Sequence, residues 1–163
     1  MHHAAMEWVE RYANAEAPQR VLDVGGRDVN GNPRHLFHPD STWECVDLHD
    51  GPGVTVVSDF MLWDSVENFD TILHLEVAEH AIEWPSHVNH AASMLKTGGV
   101  FIFTAAGLAR QAHSAIDGAG LRPGEHYRNV DPERLVDVLD HVFGSSVVDV
   151  ATNGEDVRAA AWL

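Results

Sequence analysis

The chain has 163 residues, 45% of them hydrophobic, and its 25 acidic and 10 basic side chains leave a formal net charge of −15. That length supports one domain spanning 1–163 and leaves little room for a second. With Lys96 the only lysine and no basic stripe anywhere, the charge argues against a nucleic acid partner and against anionic membrane surfaces. No apolar run reaches membrane-spanning length, and MHHAAMEWVERYA lacks the basic segment and apolar core of a signal peptide. The single cysteine, Cys45, rules out an intrachain disulfide and a cysteine-based zinc site, and it fits a cytoplasmic setting.

In chain order, residues 4–14 place Met6, Val9 and Ala13 near helical spacing and predict a first helix. Pro18 separates it from a strand over Arg20–Val24. A glycine-containing loop follows at 25–33, with a short helix around 34–37. Thr42–Asp47 reads as a second strand and 54–57 as a third, with a helical turn within 61–67. The run FDTIL at 69–73 is a fourth strand. A helix over 82–95 is stopped by Gly98 and Gly99, and VFIFT at 100–104 is apolar on both faces, as a central parallel strand should be. Residues 105–130 are irregular and too long for an ordinary connection. Asp131-Pro132-Glu133 opens a last helix with the apolar stripe Leu135, Val138, Leu139 and Val142. Strands at 146–151 and 157–163, separated by Asn153-Gly154, close the chain as a hairpin.

This order predicts an α/β fold: a doubly wound, Rossmann-like, mostly parallel seven-stranded sheet with a C-terminal antiparallel hairpin. Ligands of such sheets bind beyond the carboxyl ends of the strands, where strand order reverses. The loop VLDVGGRDVNG at 21–31 leaves the first strand there. Its glycines, 25, 26 and 31, do not make G-x-G-x-x-G, and no Gly-Lys-Ser/Thr occurs, so neither a dinucleotide fingerprint nor a phosphate loop is present. Asp47 ends the second strand, where an acid either accepts from both hydroxyls of a ribose or is one more exposed carboxylate.

The stretch FDTILHLEVAEH at 69–80 narrows the field. With VLDVGG, ECVDL and MLKTGGVFIFT, it resembles the small class I S-adenosylmethionine-dependent methyltransferases, with motifs in the usual order over residues 20 to 104. Thr97 replaces the usual proline, and Arg27 stands where a second glycine is usual. The resemblance implies S-adenosyl-L-methionine as cofactor. It implies that Gly25 and Gly26 lie along the methionine part near Asp23, that Asp47 holds the ribose, and that Leu48 lies beside the adenine. By the same resemblance Asp59 and Phe60 meet the adenine amino group and ring, and His74, Leu75 and Glu76 line the pocket. Arg27 has two readings: a partner for the methionine carboxylate, or an outward residue paired with Asp28 or another acid.

A small-molecule acceptor, methylated on oxygen or nitrogen, needs positioning and, for a hydroxyl, a base. His80, His113 and His126 are the candidate bases, with Tyr127 beside them, although His80 also suits a purely structural turn. The stretch 105–130 is expected to fold over the pocket. His35/His38 and His87/His90 have helical spacing for a metal but no obvious third ligand, so solvated histidines are expected and no metal site is assigned. Two alternatives remain: a non-catalytic member that binds cofactor or a partner, and a nicotinamide-dependent oxidoreductase, against which the absent fingerprint counts.

Overall fold

The computed structural model describes residues 3–29, 31–151 and 153–163; the predicted loop at 25–33 therefore includes one position, Asn30, outside the described residues. The strands β1 (Arg20–Val24), β2 (Thr42–Asp47), β3 (Val56–Val57), β4 (Phe69–Leu75), β5 (Leu95–Ala106), β6 (Ser146–Val150) and β7 (Asp156–Trp162) form one sheet. Its order is β3-β2-β1-β4-β5-β7-β6. The first five strands are mutually parallel, and β7 enters antiparallel between β5 and β6. The expected architecture is present, and strand order reverses between β1 and β4.

Successive side chains of a strand point to opposite faces, and the core divides accordingly. On one face α2 (Trp84–Met94) and α3 (Pro132–Phe143) bury Trp84, Val88, Leu135 and Leu139 against Leu22, Ile72, Phe101 and Phe103. On the other, α1 (His3–Glu10) packs Trp8 and Val9, together with Phe37, over Val21, Leu73, Ile102 and Ala160. Of the expected stripe, Val9 is buried in α1 with Ala5 and Trp8, while Ala13 lies beyond the end of the helix and packs against the same core. Asp131 caps α3 by accepting from Glu133 N–H at 3.0 Å, and Gly144, with φ 69°, closes it.

Several boundaries differ from expectation, and those of α2 and β4 bear on the site. α2 begins at Trp84 with Pro85 in its first turn, leaving Ile82 exposed. It ends at Met94, and Leu95 already starts β5. Gly98 and Gly99 therefore do not cap the helix. They lie within β5, beside a break in its register with β4, and a Cβ on Gly99 would stand 3.0 Å from the Asp70 carbonyl. β4 continues to Leu75, which carries Glu76 to the rim of the sheet.

Among the described residues, the connection from β1 to β2 contains only a 3-10 turn, Arg34–Leu36, where a parallel pair commonly carries a helix. The loop after β1 is thereby left free to form a wall above the strand ends. No helix among the described residues is long and apolar enough to cross a membrane.

Trp8 ties the first helix to the last strand. Its Nε1–H donates to the Ala159 carbonyl at 3.0 Å, and its ring is buried. Trp8→Ala is expected to lower unfolding free energy by about 3–5 kcal/mol in urea titration, within the range for large buried aromatics; a loss below ~1 kcal/mol would make α1 peripheral to the fold.

Candidate functional site

A cavity of about 1260 Å³ opens at the carboxyl ends of β1, β2 and β4, at the reversal of strand order. Its walls come from the loops after those strands and from the stretch between β5 and α3, which contributes Arg110–Ala115, Gly118–Gly120 and His126. This stretch, the cover, forms one side of the cavity.

The loop after β1 is built around a buried acid. The Asp23 carboxylate lies against Gly26: a Cβ there would meet Asp23 Cγ at 2.2 Å, so no larger residue fits. Gly25 takes φ 68° and donates its N–H to the Val46 carbonyl at 2.7 Å, which turns the chain sharply off the strand. Asp23 is almost fully buried, and its Oδ1 has no hydrogen-bond partner. Burial raises its pKa to about 7; Arg34 opposes the rise, and Asp47 and Asp28 add to it.

Arg27 does not turn outward to Asp28. Its aliphatic stem packs against Gly51, and its guanidinium donates to the Ile116 carbonyl at 3.3 Å, linking the β1 loop to the cover. Its Nε is buried without a partner. The Asp47 carboxylate lies on the cavity wall, accepting from Arg27 N–H at 3.3 Å and His49 N–H at 2.8 Å. Leu48, beside it, is exposed along the same wall. Asp59 lines the cavity while capping the 3-10 turn Phe60–Leu62 through Met61 N–H at 2.9 Å. Phe60 also borders the cavity, but most of its ring is buried against His87 and His90.

At the end of β4, Leu75 and Glu76 line the cavity and His74 does not. His74 is fully buried behind the wall, on the α2 side, because side chains alternate along β4. It stacks on Phe103 and shares a hydrogen bond, 3.1 Å, with His87 Nδ1. Burial, then the neighbouring His87, holds its pKa well below the ordinary value, so the ring is neutral. His87 reaches the cavity instead. His87 and His90 are thus turned inward rather than solvated; His90 Nε2 sits 2.8 Å from the Trp63 carbonyl.

Glu76 is the only non-glycine residue with positive φ, 60°, among those described. Such a backbone is disfavoured and persists only where neighbours hold it. Its N–H donates to the Thr104 carbonyl at 2.8 Å, its Oε1 accepts from Thr104 Oγ1 at 2.8 Å, and its Oε2 accepts from Arg110 Nη1 at 3.2 Å. Arg110 also pairs with Asp156 and donates to the Glu155 carbonyl. One end of the cover is thereby fastened to β7. The other end is held by Arg128 N–H to the Glu79 carbonyl, 2.7 Å, and Val130 N–H to the Ala106 carbonyl, 2.8 Å.

His80, His113 and His126 all border the cavity. His80 and His113 meet edge to face at 5.1 Å, and Tyr127 packs against both at 5.4 and 5.0 Å. Burial, then His113, lowers the His80 pKa. Behind them lies Glu79, which the motif contains but the spacing did not mark as functional. It is fully buried, and neither carboxylate oxygen accepts a hydrogen bond within normal geometry. Burial and then Glu76 raise its pKa to about 8, against nearby backbone N–H groups of Glu79 and Ala106 and the Arg110 charge.

Residues 1–148 match the protein family described as Methyltransferase domain. No curated protein sequence matches the chain. Among solved structures, it resembles the Burkholderia thailandensis 1,6-didemethyltoxoflavin-N1-methyltransferase with bound 1,6-didemethyltoxoflavin and S-adenosylhomocysteine: TM-score 0.69, 16% identity, covering 98% of this chain and 78% of that one. It also resembles the N-methyltransferase NodS from Bradyrhizobium japonicum WM9, with TM-score 0.61, 14% identity and coverage of 98% and 94%. A third likeness is to Haemonchus contortus phosphoethanolamine N-methyltransferase 2 in complex with S-adenosyl-L-methionine, with TM-score 0.67, 17% identity and coverage of 91% and 38%. With motifs, sheet order and nine-tenths of its length in agreement, this chain belongs to the methyltransferase domain family.

Proposed function

We propose that this protein transfers the methyl group of S-adenosylmethionine to an oxygen or nitrogen of a small molecule, as one domain working in the cytoplasm. The observation that carries the reading is the cavity at the strand-order reversal, walled by carboxylates from four separate segments: Asp23, Asp47, Asp59 and Glu76. The residues fit the cofactor. Asp23 Oδ1 is buried without a partner beside Gly25 and Gly26, which suits an ammonium or a water held by one. Each Asp47 oxygen accepts one backbone N–H and keeps a further lone pair for a ribose hydroxyl. The buried, unpartnered Arg27 Nε leaves a donor for the methionine carboxylate.

When bound, the cofactor supplies a methyl group on a positively charged sulfur. The chain's own part is positioning and charge. The four carboxylates favour a cation at the strand ends, and the cover between β5 and α3 excludes water. Leu48 and Phe60 offer apolar surface to an adenine, and Asp59 an acceptor for its amino group. His80, His113 and His126 lie on the cover side of Glu76, where an acceptor that must shed a proton would meet them; an amine needs this less. The nitrogen-methylating neighbours support the amine, and the buried Glu79 behind the histidines supports a proton-bearing group of either kind.

Asp47→Ala removes the acceptors for both ribose hydroxyls. Its affinity for S-adenosylhomocysteine in calorimetry is expected to fall roughly 10- to 100-fold. Unchanged affinity would move the ribose elsewhere, and wild-type protein that binds no S-adenosylhomocysteine would remove the whole reading. A second expectation concerns pH. Asp23 keeps its proton up to about pH 7 in the free protein, and a ligand ammonium favours its carboxylate. S-adenosylhomocysteine should therefore bind roughly tenfold more tightly at pH 8 than at pH 6, with the rise centred near pH 7. Asp23→Asn should flatten this profile; a wild-type profile flat over the same range would detach Asp23 from the ligand.

A further inference from the structure

Glu79, His80 and His113 bring one donor atom each to within 4.8 Å of one another at the cavity wall. We propose that they form a binding site for a divalent transition-metal cation, such as zinc or manganese, that faces the methyl acceptor. The proposal deepens the reading above, on which its catalytic meaning rests.

Three observations support it. The Glu79 side chain is fully buried, and neither oxygen has a hydrogen-bond partner within normal geometry, a costly arrangement for a carboxylate. The His113 ring is oriented by Nδ1, which lies 3.2 Å from the Gln111 carbonyl. A carbonyl can only accept, so Nδ1 carries a hydrogen, and the neutral form of the ring presents its lone pair at Nε2. His113 Nε2 stands 4.0 Å from Glu79 Oε1, too far for a hydrogen bond. Ring orientation by a backbone carbonyl is how metal-binding histidines are commonly set. Finally, His80 Nδ1 is buried without a partner. Tyr127 packs on both rings and donates its hydroxyl to the same Gln111 carbonyl at 3.2 Å, which holds the group in place.

Two imidazoles and one carboxylate suit zinc, iron(II) or manganese rather than calcium or magnesium. Bonds of about 2.0–2.2 Å would put the donors roughly 3.3 Å apart, so the trio must draw inward by about 1 Å. The nearby Arg110 does not oppose a cation strongly, because its charge is already met by Glu76 and Asp156. Three protein ligands leave a position open. His80 and His113 both border the cavity, so the open position faces it and would take an oxygen or nitrogen of the acceptor.

The test uses the full, untagged chain stripped with chelator and titrated with Zn²⁺, and separately with Mn²⁺, in competition with a chromophoric chelator. The expected result is one equivalent bound, with affinity lowered at least tenfold in Glu79→Gln and in His113→Asn. The pair variant His35→Gln/His38→Gln, remote from the trio, should bind as wild type does. S-adenosylhomocysteine affinity is measured on every variant, and its retention separates loss of the metal site from loss of the fold or of the cofactor site. If Glu79→Gln fails to fold, His113→Asn decides alone. Stoichiometric binding unchanged in Glu79→Gln or His113→Asn would overturn the proposal. So would absence of binding by wild-type protein that still takes S-adenosylhomocysteine.

Discussion

A carboxylate buried at the end of β1 sets the shape of the site. Asp23 leaves the sheet pointing into the turn, and Gly26 is the residue that lets it lie there without a clash. Gly25 must then take positive φ so that its N–H reaches Val46 of the next strand. This bend sends Arg27 towards Asp47, whose carboxylate receives the Arg27 N–H, and carries the guanidinium up to the cover. Isolated, such an acid is poorly solvated, and burial keeps its proton on up to about pH 7. An arrangement that is unfavourable without a ligand and corrected by a cation is a common feature of binding sites.

A second strained point lies at the end of the neighbouring strand β4. Glu76 holds a backbone conformation that side chains disfavour, fixed by Thr104 below and Arg110 beside it. Arg110 belongs to the cover and is also fastened to Asp156 on β7. The rim of β4, the cover and the closing hairpin are therefore one connected network. The antiparallel end of the sheet, far from the β1 loop in sequence, helps hold the cover against the rim of β4. Glu79 lies buried beside this network, and His80 and His113 stand next to it at the cavity wall.

Much of this was legible in the sequence, where side-chain period and local chemistry act over a few residues. The β1, β2 and β5 cores and the capped start of α3 follow from such patterns, whereas Asp59 on the cavity wall comes only from the family resemblance, which also decides between two readings of Asp47. The failures are equally physical. His74 sits one residue before the pocket wall, and alternation along a strand longer than expected turned it into the core. His87 and His90 read as surface histidines because nothing local reveals that Phe60, from a distant turn, packs on both rings. Gly98 and Gly99 carry a helix-ending signature but serve a break in strand register. The Arg27 contact with Ile116 and the meeting of His113 with Glu79 join segments too far apart in sequence for spacing to reveal them.

The central claim is that the buried Asp23 and the rim Asp47 are the two poles of a bound methyl donor. A crystal structure of the protein with S-adenosylhomocysteine tests it most directly. The account predicts both ribose hydroxyls on the Asp47 carboxylate, and the ligand's amino group, directly or through one water, on Asp23 Oδ1. A ligand seated elsewhere in the cavity, with Asp23 Oδ1 still unpartnered and Asp47 facing solvent, would contradict it.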